Sequence, residues 1–147
     1  MSTAIDFIKQ KLAEAGFDVL PPNPEMALPL EHVLISDDQG RQQAVYIGPE
    51  VANKFGFDFV TLVGISYGGP ESGLDPHAYL LVSEPGSGGA GHWAWFRLNP
   101  EVIVVGYGVE IPVSDRLDAK AIGEVLLEIG TQSDRGEQIL SGGEDRF

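Results

Sequence analysis

Short, turn-rich connections between the strand candidates are the feature that most constrains how this chain folds. Residues 58–67, 78–83, 92–98 and 102–111 each show the apolar content or the period-two alternation of a β-strand. The connection between the last two runs, Leu98-Asn99-Pro100-Glu101, is short enough for a hairpin. Parallel strands need crossovers of about a dozen or more residues. The sequence therefore predicts an antiparallel sheet.

An earlier hairpin is predicted at residues 32–47. The apolar run His32 to Ile35 leads into a turn-rich stretch at 36–40, and residues 43–47 form the returning strand. Gly48-Pro49 ends that strand. Residues 49–55, with Pro49 at the first helical position, are predicted to form one or two helical turns.

Amphipathic helices are predicted at both ends of the chain. The first carries a stripe with Gly16 as its C′ residue, and Pro21, Pro22 and Pro24 then favour an extended link. Its stripe consists of Ile5, Ile8, Leu12 and Ala15. The last is predicted to begin near Ser114 or Asp115 and to end at Gly130, with a separate short helix at 131–140. Its stripe consists of Ile122, Val125, Leu126 and Ile129.

These elements predict a single α+β domain over residues 1–140. Its antiparallel sheet has about five to six strands, flanked by the N-terminal and C-terminal helices. The hydrophobic content of 43% is ample for a core. Residues 141–147 are predicted to be a disordered tail.

Charge narrows the classes of partner. Twenty-two Asp and Glu residues against nine Lys and Arg give a formal charge of −13. Such a field repels nucleic-acid phosphates and anionic lipid head groups, and it attracts cationic partners. We therefore expect a protein partner with a basic surface, and neither nucleic acid nor membrane. A salt-adapted surface, in which the acids serve solubility, is the alternative explanation of the charge.

Cysteine usage and the N-terminal residues narrow the chemistry and the compartment. The chain has no cysteine, which excludes disulfides, thiolate nucleophiles and Cys-ligated zinc. The first residues lack a basic region followed by a long apolar run, and no stretch approaches the roughly 20 apolar residues of a membrane span. We expect a soluble, cytoplasmic protein.

One motif raises the possibility of catalysis. Gly64-Ile65-Ser66-Tyr67-Gly68 matches the G-x-S-x-G elbow of serine hydrolases, in which a strained turn exposes the serine and opens a helix. Here Pro70 and Gly73 stand where that helix should begin. Downstream of the motif, the histidines available for a catalytic set are His77 and His92, and the acids are Asp75, Asp115 and Asp118. We predict that Ser66 is not a nucleophile. A small serine hydrolase that uses Ser66, Asp75, His77 and His92 remains an alternative function.

Two further patterns match ligand-binding motifs incompletely. Gly86-Ser87-Gly88-Gly89-Ala90-Gly91 matches G-x-G-x-x-G, but a predicted strand follows it, so no helix N-terminus is aimed at the loop. A hairpin loop is the interpretation we favour, and a small-ligand-binding domain closed by this loop is an alternative. His32, His77 and His92 lack metal-ligand spacing. We expect no metal and no cofactor.

Aromatic residues mark a candidate binding surface. Trp93, Trp95 and Arg97 share one face of the strand at 92–98, opposite a second bulky face. Trp, Tyr and Arg are the residue types that carry most energy at protein interfaces. We assign binding to Trp93, Trp95, Arg97 and Tyr107, with burial in the core as the competing explanation.

The first third of the chain resembles known small domains. The N-terminal helix, the Pro-rich link and the two strands of residues 30–47 resemble the opening of YbjN-like and type III secretion chaperone-like domains. This resemblance implies an acidic α+β protein with an antiparallel sheet. For the chaperones it also implies homodimers that bind extended segments of partner proteins. The predicted function is an acidic protein-binding module, chaperone-like or immunity-like, without catalytic activity and homodimeric.

Overall fold

The computed structural model describes residues 3–36, 40, 42–74, 78 and 91–141. The main elements within them are helix α1 (Thr3–Glu14), strands β1 (His32–Ser36), β2 (Gln42–Lys54), β3 (Phe57–Gly69), β4 (Gly91–Asn99) and β5 (Val102–Pro112), and helix α2 (Ala119–Ser141). A short 3₁₀ helix, Glu71–Gly73, follows β3. The five described strands form one antiparallel sheet in the order β1-β2-β3-β5-β4. The predicted α+β fold, with helices at both ends of the chain, is confirmed.

Two predicted segments lie largely outside the described residues. Of the predicted strand at 78–83, only Ala78 is described. It is helical, so the strand prediction is wrong at this residue, and its side chain is buried. Of the predicted tail at 141–147, only Ser141 is described, as the last residue of α2. The domain boundary at residue 140 stays a prediction.

The first face of the sheet, which packs against both helices, forms the main core. Ile8 and Leu12 of α1 and Ile122, Leu126 and Ile129 of α2 are almost completely excluded from solvent. They pack on alternate residues of the strands, namely Val33, Ile35, Val45, Ile47, Val60, Leu62, Ile103, Val105, Tyr107, Val109 and Ile111. The predicted apolar stripes of both helices and the predicted inward face of β5 are confirmed.

The second face of the sheet, away from the helices, is covered in part by the Pro-rich segment that follows α1. Leu28 of that segment packs on a small second cluster of strand residues, Ala44, Tyr46, Ile65 and Val104. Leu20 and His32 exchange both backbone hydrogen bonds, which ties the segment to β1. The rest of this face, toward β4, is open among the described residues.

The predicted end of α1 is confirmed at Gly16. This glycine has φ +92°, and the N–H of Phe17 donates to the carbonyl of Leu12 at 3.0 Å. A left-handed residue at C′ followed by such a bond ends a helix while satisfying its last carbonyl groups. The chain then turns toward the second face of the sheet.

The helical turns predicted at 49–55 are wrong, because β2 continues to Lys54. Pairing with β3 shifts between Ile47 and Val51, so Gly48, Pro49 and Glu50 form an irregularity in the strand. Proline has no N–H to donate to the ladder and occurs in sheets at edges or bulges. Pro49 therefore marks a bulge here and does not start a helix.

The predicted end of the last helix at Gly130, with a separate helix at 131–140, is also wrong, since α2 runs unbroken from Ala119 to Ser141. The helix also begins later than the predicted start near Ser114 or Asp115. The side chain of Asp118 accepts a hydrogen bond from the N–H of Ala121 at 2.8 Å, which makes Asp118 the N-cap. Tertiary packing overrides the modest cost of a glycine inside a helix, because Gly130 is buried on the sheet.

A second irregularity changes the direction of one aromatic side chain. Pairing between β3 and β5 shifts between Ile65 and Tyr67. Simple alternation places these two residues on one face, yet Ile65 packs in the second cluster and Tyr67 in the main core. The extra residue at this bulge is Ser66, which therefore also faces the helices.

No helix in the described part of the chain is both long and apolar enough to cross a membrane.

Candidate binding surface

The turn between β2 and β3 presents an exposed phenylalanine in a strained conformation. Lys54 pairs with Phe57, so Phe55 and Gly56 form a two-residue hairpin turn. Their φ angles are +57° and +81°, the two positive values of a type I′ turn. Asn-Gly is the preferred sequence there, because a bulky side chain in the left-handed region costs about 1–2 kcal/mol. Phe55 is nevertheless 95% exposed.

We call residues 53–58 the hairpin tip. Beside Phe55 it carries a second exposed aromatic ring, Phe57, at 56% exposure. Two polar contacts brace it. The side-chain amide of Asn53 donates to Asp58 at 2.9 Å, and the Lys54 ammonium contacts both carboxylate oxygens of Glu110 at 2.9 and 3.0 Å. The backbone of the tip is thus held while its rings project into solvent.

A groove of about 240 Å³ lies on the second face, next to the base of the hairpin tip. It is lined by Thr61, Val63, His92, Ala94, Gly106, Gly108 and Glu110. Its floor is backbone, because glycines occupy the two β5 positions whose side chains would otherwise fill it. A Cβ added to Gly106 would lie 2.6 Å from the carbonyl oxygen of Gly64 and 3.2 Å from the side chains of Ile65 and Val63.

The ion pair between Lys54 and Glu110 joins the hairpin tip to the groove. Glu110 stands on the groove wall and Lys54 belongs to the tip, and their side chains are 33% and 50% exposed. Solvent screens such a pair, so its contribution to folding stability is small, about 0.2–1 kcal/mol. The pair is therefore free to exchange partners at little cost to the fold.

Ser66, the predicted alternative nucleophile, is fully buried between β3 and α2. Its hydroxyl donates to the backbone carbonyl of Ser133 at 2.8 Å. The residues directly after Gly69 form a short 3₁₀ turn at Glu71–Gly73. In the hydrolase motif, an α-helix begins directly at the elbow. Asp75 and His77 lie outside the described residues. The structure thus places Ser66 at a helix–sheet contact.

The predicted binding residues divide between core and surface. Trp93 and Tyr107 are 5% and 1% exposed, with ring centroids 5.5 Å apart in an edge-to-face arrangement, so they are core residues. Trp95 is 42% exposed. Arg97 is exposed, and its guanidinium contacts Glu71 at 3.3 Å and donates to the carbonyl of Pro100. Only Trp95 and Arg97 are accessible to a partner.

The two described histidines, His32 and His92, lie in different surroundings. His32 is buried, with Nδ1 3.1 Å from the carbonyl of Leu30, and His92 lines the groove. In the described ranges no three His, Asp or Glu side chains are placed to hold a metal ion. Of the glycine-rich stretch at 86–91, only Gly91 is described, as the first residue of β4.

Sequence reasoning missed a buried polar cluster under α2. Gln43, Ser133, Asp134 and Glu137 are each at most 2% exposed. Asp134 accepts hydrogen bonds from the side-chain amides of Gln43 at 3.3 Å and Gln138 at 2.8 Å. Buried carboxylates need such donors, because an unsolvated charge is costly. This cluster fixes how α2 sits on β2 and does not reach solvent.

A second cavity, of about 340 Å³, lies between α1, the Pro-rich segment and β2. Ile5, Leu30 and Ile47 supply apolar lining. The ammonium of Lys9 and the carboxylate of Glu31 also line it and form an ion pair at 2.7 Å, which raises the pKa of Lys9. No aromatic residue is among the described residues that line it.

Comparisons with models of known protein families, with curated proteins and with solved structures found no match for this chain. The resemblance to YbjN-like and type III secretion chaperone-like domains therefore stays a prediction.

Proposed function

We propose that this chain is an acidic protein-binding module, chaperone-like or immunity-like and without catalytic activity, that uses its hairpin tip to engage a partner with a basic surface. The observation that carries the proposal is Phe55, which is 95% exposed and held at φ +57°. Strain of this kind tends to be retained at functional sites. An exposed aromatic ring on a braced turn is also an effective anchor for a pocket on a partner.

Charge supports the choice of partner. The chain carries a formal charge of −13, and the lysine at the tip is already neutralised by Glu110. A partner pocket with a basic rim would therefore meet an apolar ring within a negative field, and the field would speed the encounter.

The serine-hydrolase alternative gains no support from the geometry, since the hydroxyl of Ser66 is buried and donates to a backbone carbonyl. The groove supports the small-ligand alternative, because its volume of about 240 Å³ would admit a single side chain or a small ring. We include the groove in the protein-binding proposal because the ion pair between Lys54 and Glu110 joins it to the tip.

The test compares Phe55→Asn with Leu127→Asn. Both replace an exposed apolar residue by asparagine, and Leu127 lies on α2, away from the tip. Tagged wild-type and variant proteins are used to capture partners from native extract, identified by mass spectrometry. The captured partner is then purified and titrated by calorimetry.

We expect the partner to bind Phe55→Asn at least tenfold more weakly, and Leu127→Asn like the wild type. Phe55→Asn should also raise the free energy of unfolding, measured in urea, by about 1 kcal/mol, because Asn-Gly suits the turn. Loss of binding with a gain in stability excludes unfolding as the cause. Equal partner affinity for the two variants would refute the role of the tip.

A cytoplasmic location and a homodimeric state belong to the same proposal. Trp95 and Leu98 of β4 are both 42% exposed, which gives a second copy apolar surface to cover. Light scattering at micromolar concentrations should give twice the monomer mass. A monomer mass throughout that range would remove the dimer from the proposal.

A further inference from the structure

We propose that the groove beside the hairpin tip binds a cationic side chain, preferably arginine, of an extended partner segment. In the absence of the partner, the ammonium of Lys54 occupies the position beside the Glu110 carboxylate that this cation would take. This inference rests on the proposed protein-binding function and names the chemistry that the same surface recognises. It concerns a site different from the Phe55 anchor.

The shape of the groove suits a side chain with a flat or slender cation. The backbone at Gly106 and Gly108 forms its floor, and Val63 and Ala94 contribute apolar wall. At about 240 Å³, the volume admits one long side chain. Arginine and lysine lay apolar stems on such surfaces while their charge stays at the rim.

The charge in the groove identifies the occupant. Glu110 is the carboxylate of the lining, and Thr61 and His92 are its other polar side chains. A carboxylate beside an apolar floor complements a guanidinium, which binds both oxygens in one plane. An anionic ligand would face Glu110 as well as the net charge of −13.

The ammonium of Lys54 marks the position of the bound cation beside Glu110. Its ammonium contacts both carboxylate oxygens of Glu110, at 2.9 and 3.0 Å, from outside the groove lining. An incoming guanidinium would compete for the same oxygens. Because the ion pair is half-exposed, the competition costs the protein little. Removing Lys54 should therefore strengthen ligand binding.

The test uses a fluorescein-labelled hexa-arginine peptide, with hexa-citrulline as its uncharged counterpart, at 150 mM salt. Anisotropy gives the affinity for wild type, Lys54→Met and Glu110→Gln. The matched controls are Lys9→Met and Glu71→Gln, which make the same changes in net charge at ion pairs outside the groove. Amide spectra of ¹⁵N-labelled protein locate the site.

We expect Lys54→Met to bind hexa-arginine about two- to fivefold more tightly and Glu110→Gln about five- to tenfold more weakly. The control variants should change affinity less than twofold, and hexa-citrulline should not bind. The amide signals of Gly106 and Gly108 should move first in the titration.

Three results would overturn the inference. They are equal effects of Lys54→Met and Lys9→Met, equal affinity for hexa-citrulline, and no detectable peptide binding. Each would leave the protein-binding proposal in place, because that depends on capture of a natural partner and its loss in Phe55→Asn. Conversely, site-specific peptide binding combined with an unaffected Phe55→Asn would retain the groove and remove the tip.

Discussion

At the scale of single residues, glycine sets how closely α2 approaches the sheet. A Cβ at Gly136 would lie 2.6 Å from the hydroxyl of Ser66 and would overlap the ring of Trp93. A Cβ at Gly64 would meet the hydroxyl of Ser133. These contacts leave no room for a methyl group without movement of the helix, so the helix and sheet backbones pack closely only because both positions lack a side chain.

The first prediction compares two glycines of α2. Gly136→Ala should destabilise the protein by about 1–3 kcal/mol, because the methyl group overpacks the contact with Trp93. Gly123→Ala should stabilise it by about 0.5–1 kcal/mol, because nothing lies within 4 Å of the added Cβ and alanine favours the helix. Urea unfolding measures both. Equal effects of the two substitutions would contradict the close packing.

The second prediction concerns alkaline pH. Burial, and after it the nearby carboxylate of Glu128, raise the pKa of Tyr107 to about 12, and its hydroxyl donates to Glu128 at 3.1 Å. The folded state therefore holds this proton more tightly than the unfolded chain, in which the pKa is about 10. The stabilisation, on the order of 2 kcal/mol, is complete below pH 10 and is lost as the pH rises toward 12.

Spectrophotometric titration should accordingly show a tyrosine that ionises late in the wild type and is missing in Tyr107→Phe. Tyr46, whose pKa burial also raises, should remain as a late-titrating residue in that variant. A titration curve unchanged by Tyr107→Phe would contradict the assignment.

At the scale of elements, α2 is the main cover of the sheet. Its residues Ile122, Leu126 and Ile129 are at most 1% exposed. We predict that Leu126→Ala lowers the free energy of unfolding by about 2–5 kcal/mol. The adjacent Leu127 is 46% exposed, so Leu127→Ala should change it by less than about 0.5 kcal/mol. A loss of less than about 0.5 kcal/mol for Leu126→Ala would make the helix peripheral.

Elements with clear periodicity were predictable from the sequence. The stripes of α1 and α2, the hairpin at 32–47 and the alternation of β4 and β5 each follow from apolar spacing. The errors fall at Pro49 and Gly130, where local preference indicated a helix start and a helix end. Packing against the rest of the protein determines the backbone conformation at both residues. A single sequence does not show which strand or sheet packs against them.

The candidate surface was less accessible to sequence reasoning. Phe55-Gly56 lies between two apolar runs, a pattern that is consistent with a hairpin turn. This turn was not predicted, because residues 49–55 were assigned to helical turns. The groove arises where Gly106 and Gly108 of β5 pair with Ile65 and Val63 of β3, a juxtaposition set by strand register. Burial of Trp93 likewise depends on the continuation of α2 beyond Gly130, because Gly136 packs against its ring. From the sequence, the aromatic character of Trp93 and Tyr107 alone suggested an interface.

At the scale of the whole molecule, the surface is strongly acidic. Of the described acidic residues, Asp134 and Glu137 are buried, while the others are exposed or partly exposed. Three of the four described lysines, Lys9, Lys11 and Lys54, are each paired with a glutamate. Most of the described negative charge therefore lies at the surface of the molecule.

We predict that the association rate with a basic partner falls steeply with added salt while the dissociation rate changes little, since screening acts within about 8 Å at physiological ionic strength. Stopped-flow binding across a salt series measures this. Salt adaptation makes the opposite forecast, with a flat association rate and a fold that strengthens toward molar salt. Urea unfolding in the same series separates the two explanations.

Because α2 follows every described strand in the chain, translation delivers the sheet before its cover. Adding residues 113–141 takes about 1–6 s at ribosomal rates of about 5–20 residues per second. During that interval the apolar residues Val60, Leu62 and Val105 have no helix from the C-terminal part to pack against. The apolar face of such a nascent sheet is exposed and prone to aggregation, and its folding is completed only once α2 has emerged.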